Sequence, residues 1–296
     1  MGPVVGQPSV LAWRRYRQPR GLFGETLVTV RSTRYDHYME STSTYRKSGT
    51  VGKAFALLRA LGDADHPLSL SELAASIQAP LPTAHRLMRT LADEGFAYRN
   101  TSTKAWALGI RTVELANSFK REQACYAAAL PKMRELASRY NETVSLVCPD
   151  GNDAVRIESV KPPAREEMWY SARVGARAPI YAGAGRKVLL AYYPKDELSR
   201  VLAPETLAQI TPNTIVDTAN LRSELDLIRR QGFATSDGEQ SEGAVSVAVA
   251  LRPFSDKPLA SIGVTGPSFR FTPDRAREIG PDLVEDAEEI CQVMRR

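Results

Sequence analysis

The sequence predicts an α+β protein in two parts. A small N-terminal helix-turn-helix carries a hairpin behind it, and a larger C-terminal domain sets helices around a mainly antiparallel sheet. Three observations predict this. Residues 69–91 hold two short amphipathic helical patterns about one turn apart. Two β-rich runs around a polar tip follow directly. Beyond Glu142 the texture changes to strand-like runs, helices and hairpin-length turns.

The elements follow in order. Residues 1–45 carry Gly, Pro and Arg clusters with no sustained period of 3.6 or 2, and read as a disordered or mis-called extension. The native start then falls near Met39; the alternative is a basic arm that contacts DNA. Residues 46–109 read as a winged helix-turn-helix. The first helix begins near Thr50, with Val51, Ala54, Phe55, Leu58 and Leu61 on one face. Ser69 caps the second helix and Glu72 completes a capping box. Its buried stripe is Leu70, Leu73, Ala74 and Ile77. Residues 78–81 make the turn, and Pro82 suits the first position of the third helix, where no N–H is needed. Ala84, Leu87, Met88 and Leu91 face the core. Thr83, His85, Arg86, Arg89 and Thr90 are left on another face, and Gly95 stops the helix.

Strand-like runs at 96–99 and 104–108 flank residues 100–103 as a hairpin, a wing with Arg99 and Lys104 at its tip. From Ile110 to about Tyr140 the pattern is helical, with a break expected at Pro131. This gives a linker helix over 110–122 and the first helix of a domain over 123–296. In that domain, strands at 143–148 and 154–160 surround a turn at 149–152. Helices are expected at 183–193, 195–202 and 220–231, strands at 244–252 and 258–265, and a last helix over roughly 273–295.

Charge is uneven along the 296 residues. Residues 1–50 hold eight Lys/Arg against three Asp/Glu, residues 51–120 eight against six, and residues 121–296 23 against 25. The basic half can lie on phosphates, and the larger half has no electrostatic reason to do so. The three cysteines, Cys125, Cys148 and Cys291, form neither a disulfide framework nor a CxxC site, so inert thiols are expected and no metal or cofactor. No apolar run of about 18 residues occurs and the first 30 residues lack a signal-peptide pattern. A cytoplasmic protein with no membrane partner is expected.

A helix-turn-helix places its second helix in the DNA major groove. The DNA-binding candidates are therefore Thr83, His85, Arg86, Arg89 and Thr90, with Arg99 and Lys104 of the wing reaching phosphates or the minor groove.

Five motifs in order resemble the IclR family of bacterial transcription regulators, from Val51 to about Thr272. They are the helix-turn-helix with L-S-E-L-A at 70–74 and T-A-H-R-L at 83–87, the wing followed by Leu108-Gly109, the stretch 175–191, the stretch 228–239 with Gly243 beyond, and A-S-I-G-V-T-G-P at 260–267. The resemblance implies a winged helix, a linker helix and a GAF-like effector-binding domain. It also implies a homodimer or homotetramer on a palindromic double-stranded operator, acting as repressor or activator. A small organic or aromatic acid would be its effector. Two departures stand out. Leu81 and Pro82 occupy places where the family has a basic and a hydroxyl residue, which throws more contact onto Thr83, His85, Arg86 and Arg89. Arg186 stands where the family has glycine before Lys187, a bulky residue beside the expected pocket.

Gly183-Ala184-Gly185 opens a helix, whose free N–H groups attract an anion; the plainer reading is that these glycines allow close packing. By the resemblance, Ala184, Gly185, Asp237, Ser246, Gly263 and Thr265 line the effector pocket. Asp237 and Glu239 would accept hydrogen bonds from ligand hydroxyls, and Met168, Trp169 and Ala172 would supply apolar wall. The competing class is a hydrolase or lyase using Asp237 and Glu239. Against it, the only histidines are His37, His66 and His85, so residues 121–296 hold no Ser-His-Asp set. A nucleoid-coating protein would need a basic surface throughout, which the larger domain lacks.

Overall fold

The computed structural model describes residues 49–163, 170 and 173–296; the expectations for residues 1–45 and for Met168, Trp169 and Ala172 fall outside that range. The described chain divides into two units at Gln123/Ala124.

The first unit holds helices α1 (Thr50–Asp63), α2 (Leu70–Ser76) and α3 (Leu81–Asp93), a hairpin β1 (Ala97–Arg99) and β2 (Trp106–Leu108), and α4 (Arg111–Glu122). Its core is Leu57, Leu61, Leu73, Leu87, Met88 and Leu91, closed by Ala97 and Trp106. Leu57 is fully buried, whereas Val51 and Phe55 stand 69% and 59% exposed, which corrects the stripe expected for the first helix. A 3.6-residue period fits two overlapping stripes there, and only the packing against α2 and α3 selects one. The α2 capping box is made: Ser69 Oγ accepts from the Glu72 N–H at 3.3 Å and Glu72 Oε2 accepts from the Ser69 N–H at 2.7 Å. Leu81 opens α3, so Pro82 takes the second position and not the first. Both lie in the first turn, where a missing N–H leaves no bond unmade. The hairpin strands are shorter than expected, and Leu68 bridges to Trp106 beside them. Gly109 packs so close to Gly95 that a Cβ would sit 2.1 Å from the Gly95 carbonyl oxygen.

The second unit is a six-stranded antiparallel sheet between two helical layers. The strands are β3 (Thr143–Asp150), β4 (Asp153–Val160), β5 (Arg177–Pro179), β6 (Phe233–Asp237), β7 (Ala244–Leu251) and β8 (Ala260–Pro267), ordered β5-β4-β3-β8-β7-β6. On one face α5 (Ala124–Tyr140) and α10 (Gly280–Arg295) bury Met133, Leu136, Leu283 and Ile290 against Val144, Leu146, Val247, Ile262 and Val264. On the other, α6 (Ala184–Leu190), α7 (Lys195–Val201) and α8 (Thr218–Gln231) pack around Val188, Leu189, Leu221 and Leu225. The break expected at Pro131 falls at Gln123 instead, where ψ turns to 98°. Pro131 sits inside α5, whose buried face from Cys125 to Ala137 outweighs one missing hydrogen bond. The last expected helix is two, α9 (Pro273–Glu278) and α10, parted at Ile279 ahead of Gly280-Pro281. Strands β5 and β6 have no counterpart among the elements expected from the sequence.

Candidate functional site

In α3 the apolar stripe Ala84, Leu87, Met88 and Leu91 is buried, which turns Arg86, Arg89 and Thr90 into solvent and leaves Thr83 and His85 partly exposed. No carboxylate pairs with Arg86 or Arg89 among the described residues. Thr90 Oγ1 donates to the Arg86 carbonyl at 3.2 Å, a helix-internal bond. In the wing, Asn100 Oδ1 accepts from the Ser102 and Thr103 N–H groups, both at 2.9 Å, and shapes the tip. Arg99 Nε donates to the Lys104 carbonyl at 3.1 Å, and its guanidinium lies 5.8 Å from the Trp106 ring centroid. Lys104 takes the left-handed φ of 60°. The helix face and the wing thus offer exposed cations with hydroxyl and imidazole groups between them, a set suited to phosphates and base edges.

The second site lies on the sheet of the larger unit. Strand alternation gives the sheet one apolar and one polar face. On β7 and β8, Val245, Val247, Val249, Ile262 and Val264 enter the core under α10, while Ser246, Ser261, Gly263 and Thr265 point the other way. Register aligns the hydroxyls across strands: Thr265 opposes Ser246, and Ser246 opposes Ser236. A cavity of ≈ 50 Å³ opens on this face, lined also by Ser145, Arg156, Tyr170, Gln240 and Gly183–Arg186. Of the residues expected at the pocket, Ala184, Gly185, Ser246, Gly263 and Thr265 surround this cavity and Asp237 does not. Asp237 ends β6 with its side chain exposed, and its carbonyl accepts from Asn213 Nδ2 at 3.0 Å. Alternation is the reason: Ser236 faces the cavity, so its neighbour faces away.

Arg156 reaches the cavity through a β-bulge. Leu146 pairs with Glu158 and Val147 with Arg156, so Ile157 is left over. Glu158 accepts from Tyr126 Oη of α5 at 2.8 Å on the apolar side, and Arg156, two residues away, lies on the polar side. A bulge re-aims one side chain in this way. Arg156 is 7% and Arg186 3% exposed. Arg186 Nη1 donates to Gln240 Oε1, and Arg156 Nη1 donates to the Arg173 carbonyl at 3.5 Å. Ser145 Oγ and Arg156 Nε are buried without a hydrogen-bond partner.

Glu239, expected to meet a ligand, is engaged internally. Its Oε1 accepts from Lys187 Nζ at 2.6 Å and its Oε2 from the Gly183 N–H at 3.1 Å. Lys187 is 1% exposed and also donates to Glu224 Oε1 at 2.8 Å. Burial pushes the Glu239 carboxyl above its usual range, against the pull of Lys187. This ion cluster ties the first turn of α6 to the loop after β6. With Asp237 outside and Glu239 locked, the two carboxylates form no acid/base pair.

Residues 121–292 match the family described as bacterial transcriptional regulator IclR C-terminal, and residues 50–101 match the IclR helix-turn-helix domain. The chain belongs to the IclR family. It is 28% identical to the transcriptional repressor IclR of Escherichia coli K12 over 243 residues, 81% of this chain and 88% of the relative. The crystal structure of Thermotoga maritima IclR aligns with a TM-score of 0.66 at 28% identity, covering 83% of this chain and 99% of that one. An IclR homologue from Microbacterium hydrocarbonoxydans complexed with 4-hydroxybenzoate shares the fold, with TM-score 0.72, 24% identity, and 83% and 99% coverage. Among the described residues no helix is long and apolar enough to cross a membrane.

Sequence reasoning missed Arg156, Ser145, Ser236 and Ser261 at the cavity. Ser145 and Ser261 carried a readable signal, since each stands between apolar neighbours, Val144 and Leu146 or Ala260 and Ile262, that alternate to the other face; Ser236, in the run Phe233–Asp237, carried none. Arg156 carried none, because the bulge breaks that alternation.

Proposed function

We propose that this chain is a transcriptional repressor whose hold on a palindromic operator is set by a small organic acid in the cavity of the larger unit. Thr83, His85, Arg86, Arg89 and Thr90 of α3 would meet the major groove, and Arg99 and Lys104 of the wing the flanking phosphates. The repressor sign rests on the named relative. A homodimer or homotetramer would link two half-sites and raise effective concentration on the operator. A fold relative holds an aromatic acid, which supports the acid class. The observation that carries effector control is the polar cavity itself. Buried Ser145 Oγ and Arg156 Nε lack partners there, and groups left so are costly unless something supplies the bond.

No catalytic role is assigned, because Asp237 and Glu239 do not converge. The test is a gel shift with the DNA upstream of the gene, run with and without candidate acids, beside a promoter reporter. A discrete band at nanomolar protein whose intensity an acid alters supports the reading. Binding indifferent to DNA sequence, or to every acid tried, overturns it.

A further inference from the structure

We propose that Leu81, flanked by Pro80 and Pro82 at the start of α3, reads the C5 methyl group of a thymine in the major groove. The inference rests on the operator reading above and adds to it a base-specific contact of apolar kind.

Exposure is the first ground. Leu81 is 49% exposed, and among the described residues it takes no part in the core built by Leu57, Leu73, Leu87 and Met88. Pro80 and Pro82 on either side of it are exposed as well. Adjacent apolar side chains held in water gain free energy when a partner covers them.

Position is the second ground. The opening residues of a recognition helix are the ones that approach base edges. Pro82 lies four residues before Arg86 and seven before Arg89, and Leu81 lies four before His85. At helical spacing these residues are neighbours on one surface, so the apolar tip continues the cationic face already assigned to DNA.

The chemistry of the tip is the third ground. Proline has no N–H, so Leu81 holds the only one among residues 80–82. The N–H groups of Thr83 and Ala84 donate to the Pro80 carbonyl at 2.9 and 3.1 Å. This helix start therefore presents one free N–H where an ordinary one presents four, and it is poorly made for a phosphate. Residues 80–82 also carry no hydroxyl, amide or charge. The apolar group that base edges display in the major groove is the thymine methyl. Leu81 thus biases its position in the half-site toward thymine, where a basic residue would favour guanine.

The test is fluorescence anisotropy of the full chain on the bound segment of the DNA upstream of the gene, synthesised with thymine throughout or with uracil in its place. Uracil keeps the hydrogen-bonding groups of thymine and lacks only the C5 methyl. Synthetic DNA carries no methylated cytosine, so thymine is the sole source of such methyls. Covering one methyl is worth about fourfold in affinity, and two half-sites about fifteenfold. The expected result is a loss of that order on the uracil DNA, which single uracil substitutions trace to one thymine in each half-site. Leu81→Ser should bind both DNAs alike, as weakly as the unaltered chain binds uracil DNA. Thermal melting shows that this variant folds, and Leu81→Asn takes its place if it does not. Equal binding of the unaltered chain to both DNAs overturns the proposal and leaves the operator reading standing. A loss spread evenly over all the thymines marks an effect on DNA stiffness and does the same. So does a thymine preference that survives substitution of Leu81. No discrete complex on either DNA overturns the operator reading and this proposal with it.

Discussion

Arg86 and Arg89 on α3 and Arg156 and Arg186 at the cavity are the same side chain in opposite surroundings. The first pair is exposed on a helix whose other face is packed. Its cost in water is small, and its natural partner is a polyanion met at a surface, with salt competing for the contact. The second pair is buried on the polar face of a sheet. There a guanidinium is expensive unless neighbours answer it, and salt screens little; on the proposed reading a small acid meets this face. Lys187 supplies a third case, a buried cation that carries its own carboxylates, Glu224 and Glu239. On the proposed reading, burial more than residue type separates a phosphate contact from a ligand contact and from an internal brace.

The largest expected effect concerns the brace. Lys187→Met should destabilise the protein by about 3–5 kcal/mol, because Glu239 is left buried and charged. Chemical denaturation checks it, and a loss under about 1 kcal/mol would place Lys187 with the ligand-facing cations. Next come Arg86→Ala and Arg89→Ala. Each should weaken operator binding by about 1–3 kcal/mol, with a phosphate contact also lowering the salt slope by about one. Unchanged melting would accompany the loss. Normal DNA binding by the double variant would show that another face of α3 is used. Smaller still, Thr265→Val should cost ligand binding about 0.5–1.5 kcal/mol, the worth of one hydrogen bond, with operator binding intact. Wild-type ligand affinity in that variant would remove Thr265 from the site. At the small end, Arg156→Met should leave the ligand-free melting temperature unchanged or raise it, because it removes a buried charge with no described ion-pair partner. A marked drop would show that Arg156 braces the fold as Lys187 does.

Local features were legible in the sequence and long-range ones less so. The capping box of Ser69 and Glu72 and the buried stripe of α3 rest on neighbours three or four residues apart, and both stand where the pattern puts them. The α1 stripe misleads because Val51 and Phe55 obey the same period as Leu57 and Leu61. Ala184, Gly185, Ser246, Gly263 and Thr265 do gather at one cavity. Asp237 does not, because it lies on β6, a strand that the pattern leaves unmarked, and on a strand Ser236 and Asp237 must face opposite ways. Arg156 could not have been found by pattern, since a single unpaired residue at Ile157 decides its side.

One measurement tests most directly whether the two arginine pairs answer to different anions. Operator binding is followed by fluorescence anisotropy, with and without the small organic acid that titration calorimetry of candidate acids selects, for the unaltered chain, Arg156→Gln and Arg86→Ala/Arg89→Ala. An effector acts on DNA binding only through its differential affinity for two protein states, typically about 5- to 150-fold. The acid should shift operator affinity in the unaltered chain. Arg156→Gln should bind the operator normally and ignore the acid, and the α3 double variant should lose the operator while still taking up the acid by calorimetry. An acid response that survives Arg156→Gln, or acid binding that disappears with Arg86 and Arg89, would contradict the division of labour between the two pairs.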